Sequence, residues 1–402
     1  MKANLVKAES AYIAIFLMGI ISLFGDVVYE GSRGIVPFYL PFLGASVFIM
    51  TFAGEFGEFL GYALRLVSGA LADKTQAYWA FMFIGYGLIV SMPFLGFVNV
   101  WEMAVILVLL ERIGKAVRSP SRDAVLSIVS SGVGVGKGFG FHEFLDQIGA
   151  ILGPVLVSGL MFFSGNNYRQ TFGFLFLPFM VLMAILLYTY RRVGKVERVE
   201  PKEVKGKIKK LGKHFYIYVF AVVLNTVGLL PYELIVYKAS AVLRPENLWI
   251  APLIYMAIQG VDAPSALFSG YSYDKFKLKV LVLPFILSIF PSILVFANAD
   301  LFMLVFAAVF FGLVLGMQES IYRAAVSDFT PISSRGTAYG IFSLAYGVGR
   351  LASGVVYGLM ATLAAPIIFV VLYVLVMQTA AVILLAKAYL EVKAENVKTS
   401  SV

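Results

Sequence analysis

Charged residues stand inside apolar runs of this chain at spacings that place them on common helix faces. Asp26, Glu30 and Arg33 follow the apolar stretch AYIAIFLMGIISL. They are separated as i, i+4 and i+7, which is one stripe of a helix. Glu55, Glu58, Tyr62 and Arg65 form a second stripe, and His142 and Asp146, flanking Glu143, share a third face. Arg112, Glu233, Asp262, Glu319 and Arg350 stand in other apolar runs. A carboxylate in a low dielectric holds its proton more tightly, and a nearby cation reverses the effect, so such a group can exchange a proton near neutral pH. Two carboxylates one turn apart titrate as a pair. A histidine, with an ordinary pKa of about 6.5, can relay a proton. His142 with Glu143 and Asp146 also leaves open a metal ligand or a hydrogen-bonded packing residue. The arginines can pair structurally with these acids, tune them, or bind an anion.

The elements that carry these residues are membrane helices. The 402 residues are 60% hydrophobic and 14% charged, with a mean hydropathy of +0.88. Soluble domains carry about 25% charged residues. Apolar stretches near the ~20 residues that cross a bilayer recur from end to end. Strand-like alternation is absent, which leaves helices as the way to satisfy the backbone in lipid. The expected class is an all-α membrane protein with twelve spans: roughly 10–32, 46–70, 77–98, 101–124, 137–163, 169–190, 213–237, 249–270, 278–298, 301–325, 335–361 and 366–388. The first span has a basic start but no small-residue cleavage pattern, so it reads as a retained helix. Ionisable residues at membrane depth are costly and are functional candidates.

Lysine and arginine fall mostly on one predicted side: Lys2, Lys7, Lys74, the Lys115–Arg122 group, 191–213, Lys275–Lys279, Arg323, Arg335 and the C-terminal lysines. The expectation is a multi-pass protein of the cell membrane with both termini cytoplasmic. The basic stretch 191–213 divides the chain into an N-terminal bundle, 1–190, and a C-terminal bundle, 214–402. It reads as a linker that touches anionic lipid headgroups. No aromatic residues interleave its basic ones before His214, so no nucleic-acid partner is expected. The absence of cysteine excludes disulfides, thiolate metal sites and cysteine nucleophiles. GVGVGKGFG (132–140) lacks the lysine-Ser/Thr ending of a phosphate loop and reads as a loop entering span 5.

The two halves echo each other. GALADK (69–74) recurs as GYSYDK (270–275) at an offset of 201, which also carries Arg122 onto Arg323 and Gly153 onto Gly354. Tyr29-Glu30 recurs as Tyr232-Glu233 at 203. Parallel duplication of six spans is a transporter architecture with the solute site near mid-membrane. On these residues the sequence resembles the major facilitator superfamily over essentially its whole length. Gly69-Ala70-Leu71-Ala72-Asp73-Lys74 is similar to the family's motif between spans 2 and 3, though Thr75, Gln76, Ala77 and Tyr78 replace its usual continuation. Arg112 stands where the family often has a buried arginine in span 4. Gly149-Ala150-Ile151-Leu152-Gly153-Pro154 is similar to the motif associated with antiporters. The resemblance implies that Gly69, Asp73, Lys74 and Asp274, with Gly149, Gly153 and Pro154, serve gating. It also implies that spans 1, 4, 7, 10 and 2, 5, 8, 11 line a cavity. Tyr29, Tyr232, Gln259, Gln318, Tyr322 and Tyr346 are then lining candidates.

The expected function is secondary transport by alternating access, with proton-coupled export of small amphipathic or cationic molecules as the first reading. Asp26, Glu30, Arg33, Arg112, His142, Asp146, Glu233 and Arg350 are the candidates for proton coupling or substrate binding. Alternatives are an arginine-based transporter of an organic anion, a divalent metal exporter through His142, Asp146 and Asp26, and a transporter-like receptor or lipid scramblase. No nucleophile-base set and no cofactor motif is present, so neither an enzyme nor a cofactor or resident metal is expected. The expected partners are a small-molecule substrate, protons and membrane lipids, with the chain acting as a monomer.

Overall fold

The structure, a computed structural model, describes residues 8–131, 133–194, 210–297, 300–331 and 334–400. Most of the linker expected at 191–213 lies outside the described residues, as do Lys2 and Lys7. Among the described residues the chain is helical, with no strand. In chain order the helices are α1 (Ala8–Arg33), α2 (Val36–Phe42), α3 (Val47–Thr75), α4 (Tyr78–Gly87), α5 (Ser91–Phe94) and α6 (Trp101–Ser130). Then come α7 (Val135–Phe163), α8 (Tyr168–Phe174), α9 (Phe176–Val193), α10 (Lys213–Val227), α11 (Tyr232–Val242) and α12 (Ala251–Phe276). The remainder are α13 (Val282–Leu287), α14 (Ile289–Phe296), α15 (Leu301–Met317), α16 (Arg323–Asp328), α17 (Arg335–Thr362) and α18 (Ile367–Ser400). A π-helical turn, Gln318–Tyr322, joins α15 to α16.

Among the described residues, ten stretches are long and apolar enough to cross a membrane. One of them, Pro245–Phe296, holds both the eighth and ninth expected spans. The fourth expected span falls in α6, which its many charges keep out of that set. The molecule is a multi-pass membrane protein of twelve spans in two six-helix repeats.

Three local features differ from the sequence reading. Span 7 is broken between Val227 and Tyr232, where Gly228 and Pro231 stand. The carbonyls freed at the break are covered by side chains: Tyr373 donates to Val227 O at 2.9 Å, Tyr357 to Gly228 O at 2.7 Å and Ser353 to Leu229 O at 2.5 Å. This satisfies a helix end that water cannot reach. The helix of span 4, α6, holds Lys115–Arg122 as its expected bounds imply, but stays helical to Ser130, past the expected end at 124. Gly136, Gly138 and Gly140 likewise belong to α7, which begins at Val135 after Gly134 turns at φ 107°.

The helices group into two compact units. The first comprises Met1–Gly44, Leu60–Lys202 and Arg244–Met256. Its last segment is tied in by Ser158, which donates to Trp249 O at 2.6 Å, and by Asn166 to Pro245 O at 2.9 Å. Its centre is the packing of α1 on α7. A Cβ on Gly153 would lie 2.7 Å from Gly31 N and 2.9 Å from Val27 O. The two backbones approach this closely only because glycine stands there.

The second unit comprises Ala45–Phe59, Glu203–Leu243 and Ala257–Val402. Phe48 N donates to Thr362 Oγ1 at 2.9 Å, which anchors the first turns of α3 within it. The duplication is visible in the backbone itself. Gln76 and Lys277, 201 residues apart, adopt the same left-handed turn at φ 55° and 53°.

Candidate functional site

In the first unit, α1 and α6 each supply a charged stripe. Asp26, Glu30 and Arg33 are all buried, as the period of α1 predicts. Arg33 Nη1 donates to Glu30 Oε1 at 2.7 Å. Tyr255 donates to Glu30 Oε2, and Lys115 Nζ lies 3.9 Å from the same carboxylate. On α6, Glu111, Lys115, Arg118 and Arg122 follow i, i+4, i+7 and i+11, the same face of that helix. Glu111 is 3.7 Å from each of Arg33, Arg112 and Arg118. Tyr29 sits among these cations: Lys115 Nζ is 4.8 Å from its ring centroid, Arg33 Cζ 4.9 Å and Arg118 Cζ 5.0 Å. Asp26 faces Gly149 of α7, whose missing Cβ would lie 2.9 Å from the Asp26 Cβ.

A second set surrounds His142. Its Nε2 and the Ser22 hydroxyl are 2.8 Å apart, and the Ser22 oxygen is 3.3 Å from the Tyr86 hydroxyl. Arg122 donates to Asp123 at 3.0 Å and to Ser22 at 3.4 Å, and lies 3.9 Å from Asp146. His142 and Asp146 therefore share neighbours, as their spacing predicts. At the motif between spans 2 and 3, Tyr78 donates to Asp73 Oδ1 at 3.1 Å, and Gly69 admits Pro120, 3.3 Å from where its Cβ would be. Lys74 and Asp274 are exposed. Pro154 lies inside α7, one residue after Gly153. Arg65 places its guanidinium 5.4 Å from the Tyr62 ring centroid.

The second unit holds Arg350, which grips Glu55 with a two-pronged fork: Nε to Oε2 at 2.6 Å and Nη2 to Oε1 at 2.7 Å. Both groups are buried. Gly354 makes room, since a Cβ there would lie 2.7 Å from the Glu55 Cβ. Beside this pair, Glu233 stands in the first turn of α11, just past the break in span 7. It is 2% exposed, and no other residue among the described ones donates a hydrogen bond to either carboxylate oxygen. It feels the charges of Glu55, Arg350 and Glu58.

Deeper in this unit runs a neutral network. Tyr346 donates to Gln318 Oε1 at 2.7 Å and Tyr322 to Asn225 Oδ1 at 2.6 Å. The Asn225 amide donates to Gln378 Oε1 at 2.7 Å and Ser288 Oγ at 3.0 Å. The π-turn places both Gln318 and Tyr322 toward Asn225. Tyr232 and Gln259 are buried in the same unit.

The structure thus brings together Tyr29, Glu30, Arg33 and Arg112 in one unit, and Glu233 and Arg350 in the other. Glu111, Arg118, Asn225, Gln378 and Tyr255 are members that the sequence reading does not single out. The α6 stripe has a signal, its helical spacing, which is hidden when Lys115, Arg118 and Arg122 are counted toward orientation.

The model of the family described as Major Facilitator Superfamily matches residues 15–290 and 251–401. The chain belongs to this superfamily. An uncharacterized protein of Mycobacterium tuberculosis is 35% identical over 363 residues, covering 87% of each chain. An uncharacterized MFS-type transporter of Methanocaldococcus jannaschii is 26% identical over 370 residues, covering 86% of this chain and 87% of its own. Among solved structures, the nucleoside transporter NupG aligns with a TM-score of 0.73 at 14% identity, over 94% of this chain and 99% of that one. The peptide transporter POT in complex with sulfate aligns with a TM-score of 0.73 at 15% identity, over 93% and 94%. These likenesses fix the major facilitator fold. The protein is a transporter of that superfamily.

Proposed function

We propose that the chain is a secondary transporter that moves a small molecule by alternating access and couples the movement to protons, with Glu233 taking up and releasing the proton. The observation that carries this reading is the imbalance around Arg350. Two buried carboxylates face one guanidinium, and its fork is spent on Glu55. Among the described residues, no other residue donates a hydrogen bond to either Glu233 oxygen. Burying an uncompensated charge costs several kcal/mol, and binding a proton removes the charge. A step that turns Arg350 from Glu55 toward Glu233 would expel that proton.

The two bundles, 1–190 and 214–402 joined by 191–213, are the bodies that rock in this scheme. The direction is export, supported by the likeness of Gly149–Pro154 to the antiporter motif. The lysine and arginine distribution supports a cell-membrane protein with both termini cytoplasmic. Of the solutes open in the sequence reading, the organic anion is favoured over the cation. The Glu30 carboxylate that would greet a cation is already engaged by Arg33, Lys115 and Tyr255.

The test is solute-driven proton movement in proteoliposomes of the full chain loaded with a pH-sensitive dye. Succinate, phosphate esters and choline serve as the solute panel. The wild type should show solute-dependent proton flux, and Glu233→Gln should lose it while retaining solute counterflow. Unchanged proton flux in Glu233→Gln would sink the mechanism.

A further inference from the structure

We infer that the Glu233 site takes a proton and turns away sodium and other alkali-metal cations, and that Gly54 is the residue that positions its carboxyl group for this choice. The inference rests on the reading of Glu233 as the carboxylate that couples transport. It deepens that reading by naming the class of ion that the site selects and the groups that select it.

The first observation is a close approach. Gly54 of α3 is buried. A Cβ on it would overlap Glu233 Oε1 and lie 2.8 Å from the Glu233 Cδ. The carboxyl group is therefore pressed against the bare backbone of α3. There Gly54 offers it C–H groups, which hydrogen-bond only weakly. A hard cation is held differently, by a shell of oxygens that replaces its water. A carbon wall against the carboxylate removes one side from which such a shell is completed. A proton needs no shell. It bonds to the carboxylate and leaves a neutral group, which costs far less to bury than a charge.

The second observation concerns the oxygens nearby. Where membrane helices are broken, unwound backbone carbonyls serve as ligands for a coupling ion such as sodium. The break in span 7 stands just before Glu233. Its Val227, Gly228 and Leu229 carbonyls already accept from the hydroxyls of Tyr373, Tyr357 and Ser353. The Glu55 carboxylate likewise accepts both prongs of Arg350. The oxygens from which a cation shell would be assembled are thus engaged by donors of the protein itself.

The charges that Glu233 feels come from Glu55 and Glu58 on α3 and from Arg350 on α17. From α15, Phe311 places an uncharged ring against the adjacent Tyr232. Displacing the carboxyl group changes its distance to all three charges, so its proton affinity reports its position.

The experiment is infrared difference spectroscopy of the full chain reconstituted in lipid, while the pH or the salt over one sample is switched. The readout is the band of a neutral carboxyl group, with no solute and no gradient present. The wild type should show a band that Glu233→Gln lacks and that fades as pH rises. At fixed pH and ionic strength, exchanging choline chloride for sodium or lithium chloride should leave that band in place. Gly54→Ala should move the midpoint of the titration by about one pH unit or more, a 10-fold change in proton affinity. Gly61→Ala, on the same helix with open space around it, should not move it. Glu233→Asp draws the carboxyl group back from Gly54 by one methylene. It should also move the midpoint, and it keeps the test decisive if Gly54→Ala does not fold. Loss of the band on adding sodium or lithium overturns the inference. So does a midpoint that these two variants leave in place, or a wild-type spectrum that Glu233→Gln leaves unchanged. Because no transport is measured, proton flux that persists in Glu233→Gln proteoliposomes would refute the coupling role alone and leave the ion preference of the site standing.

Discussion

The Arg350 site makes a quantitative prediction about which partner matters more. Arg350→Gln strips the fork from Glu55 and leaves two buried acids, Glu55 and Glu233, without the guanidinium whose charge both feel. Removing one member of a buried ion pair costs about 3–5 kcal/mol. Glu55→Gln leaves a buried arginine, but Glu233 feels that charge and has two unused oxygens to offer. Recovering one charged hydrogen bond returns roughly 1.5–3 kcal/mol, so the expected cost falls to ~1–2 kcal/mol. Glu233→Gln alone should be near neutral, since among the described residues no other side chain or backbone group donates to its carboxylate. The Glu55→Gln/Glu233→Gln double variant should fall back to a loss of ~3 kcal/mol or more, giving a coupling of about 2 kcal/mol between two like-charged residues. Equilibrium denaturant unfolding in detergent of the wild type, Arg350→Gln, the two single glutamate variants and the double variant measures each loss. Equal losses for Arg350→Gln and Glu55→Gln, with an additive double variant, would refute the idea that Glu233 is the alternative partner of Arg350. The proton mechanism would go with it.

Gly149→Val should destabilise by about 1–3 kcal/mol or more, because the new side chain meets the α1 backbone and Asp26. Thermal unfolding reads this, and Gly159→Val, at a site with open space, should cost much less. Asn225→Leu should cost roughly 2–4 kcal/mol by leaving Tyr322, Gln378 and Ser288 without their shared partner. A variant as stable as the wild type would show that the network contributes nothing. Lys277→Gly should stabilise by about 0.5–1 kcal/mol, since φ 53° strains a lysine and suits glycine. A lower melting temperature for that variant would contradict the assignment of strain at this turn.

The fold was legible because the bilayer imposes one long apolar signal per span, and the α1 stripe was legible because 3.6-residue spacing alone decides its face. Glu55 could be placed on a stripe, but its partner could not, since Arg350 lies 295 residues away and nothing local encodes the pairing. Lys115 and Arg118 were hidden for a different reason. In a membrane sequence a positive residue near a span end carries two meanings, orientation and site, and counting gives only the first. Asn225 and Gln378 stand alone in apolar runs with no spacing to link them. The break in span 7 had its signal in Gly228 and Pro231, but both residues are also common inside unbroken membrane helices.

That break sets apart two positions that echo each other in the sequence. Tyr29-Glu30 and Tyr232-Glu233 are 203 residues apart, against 201 for the other echoes between the halves. In the first half the glutamate stands in the last turn of an unbroken helix, among cations. In the second it stands in the first turn of a new helix, just past the break. The interruption thus gives two echoing glutamates opposite places on their helices, one at an end and one at a start, and different electrostatic surroundings.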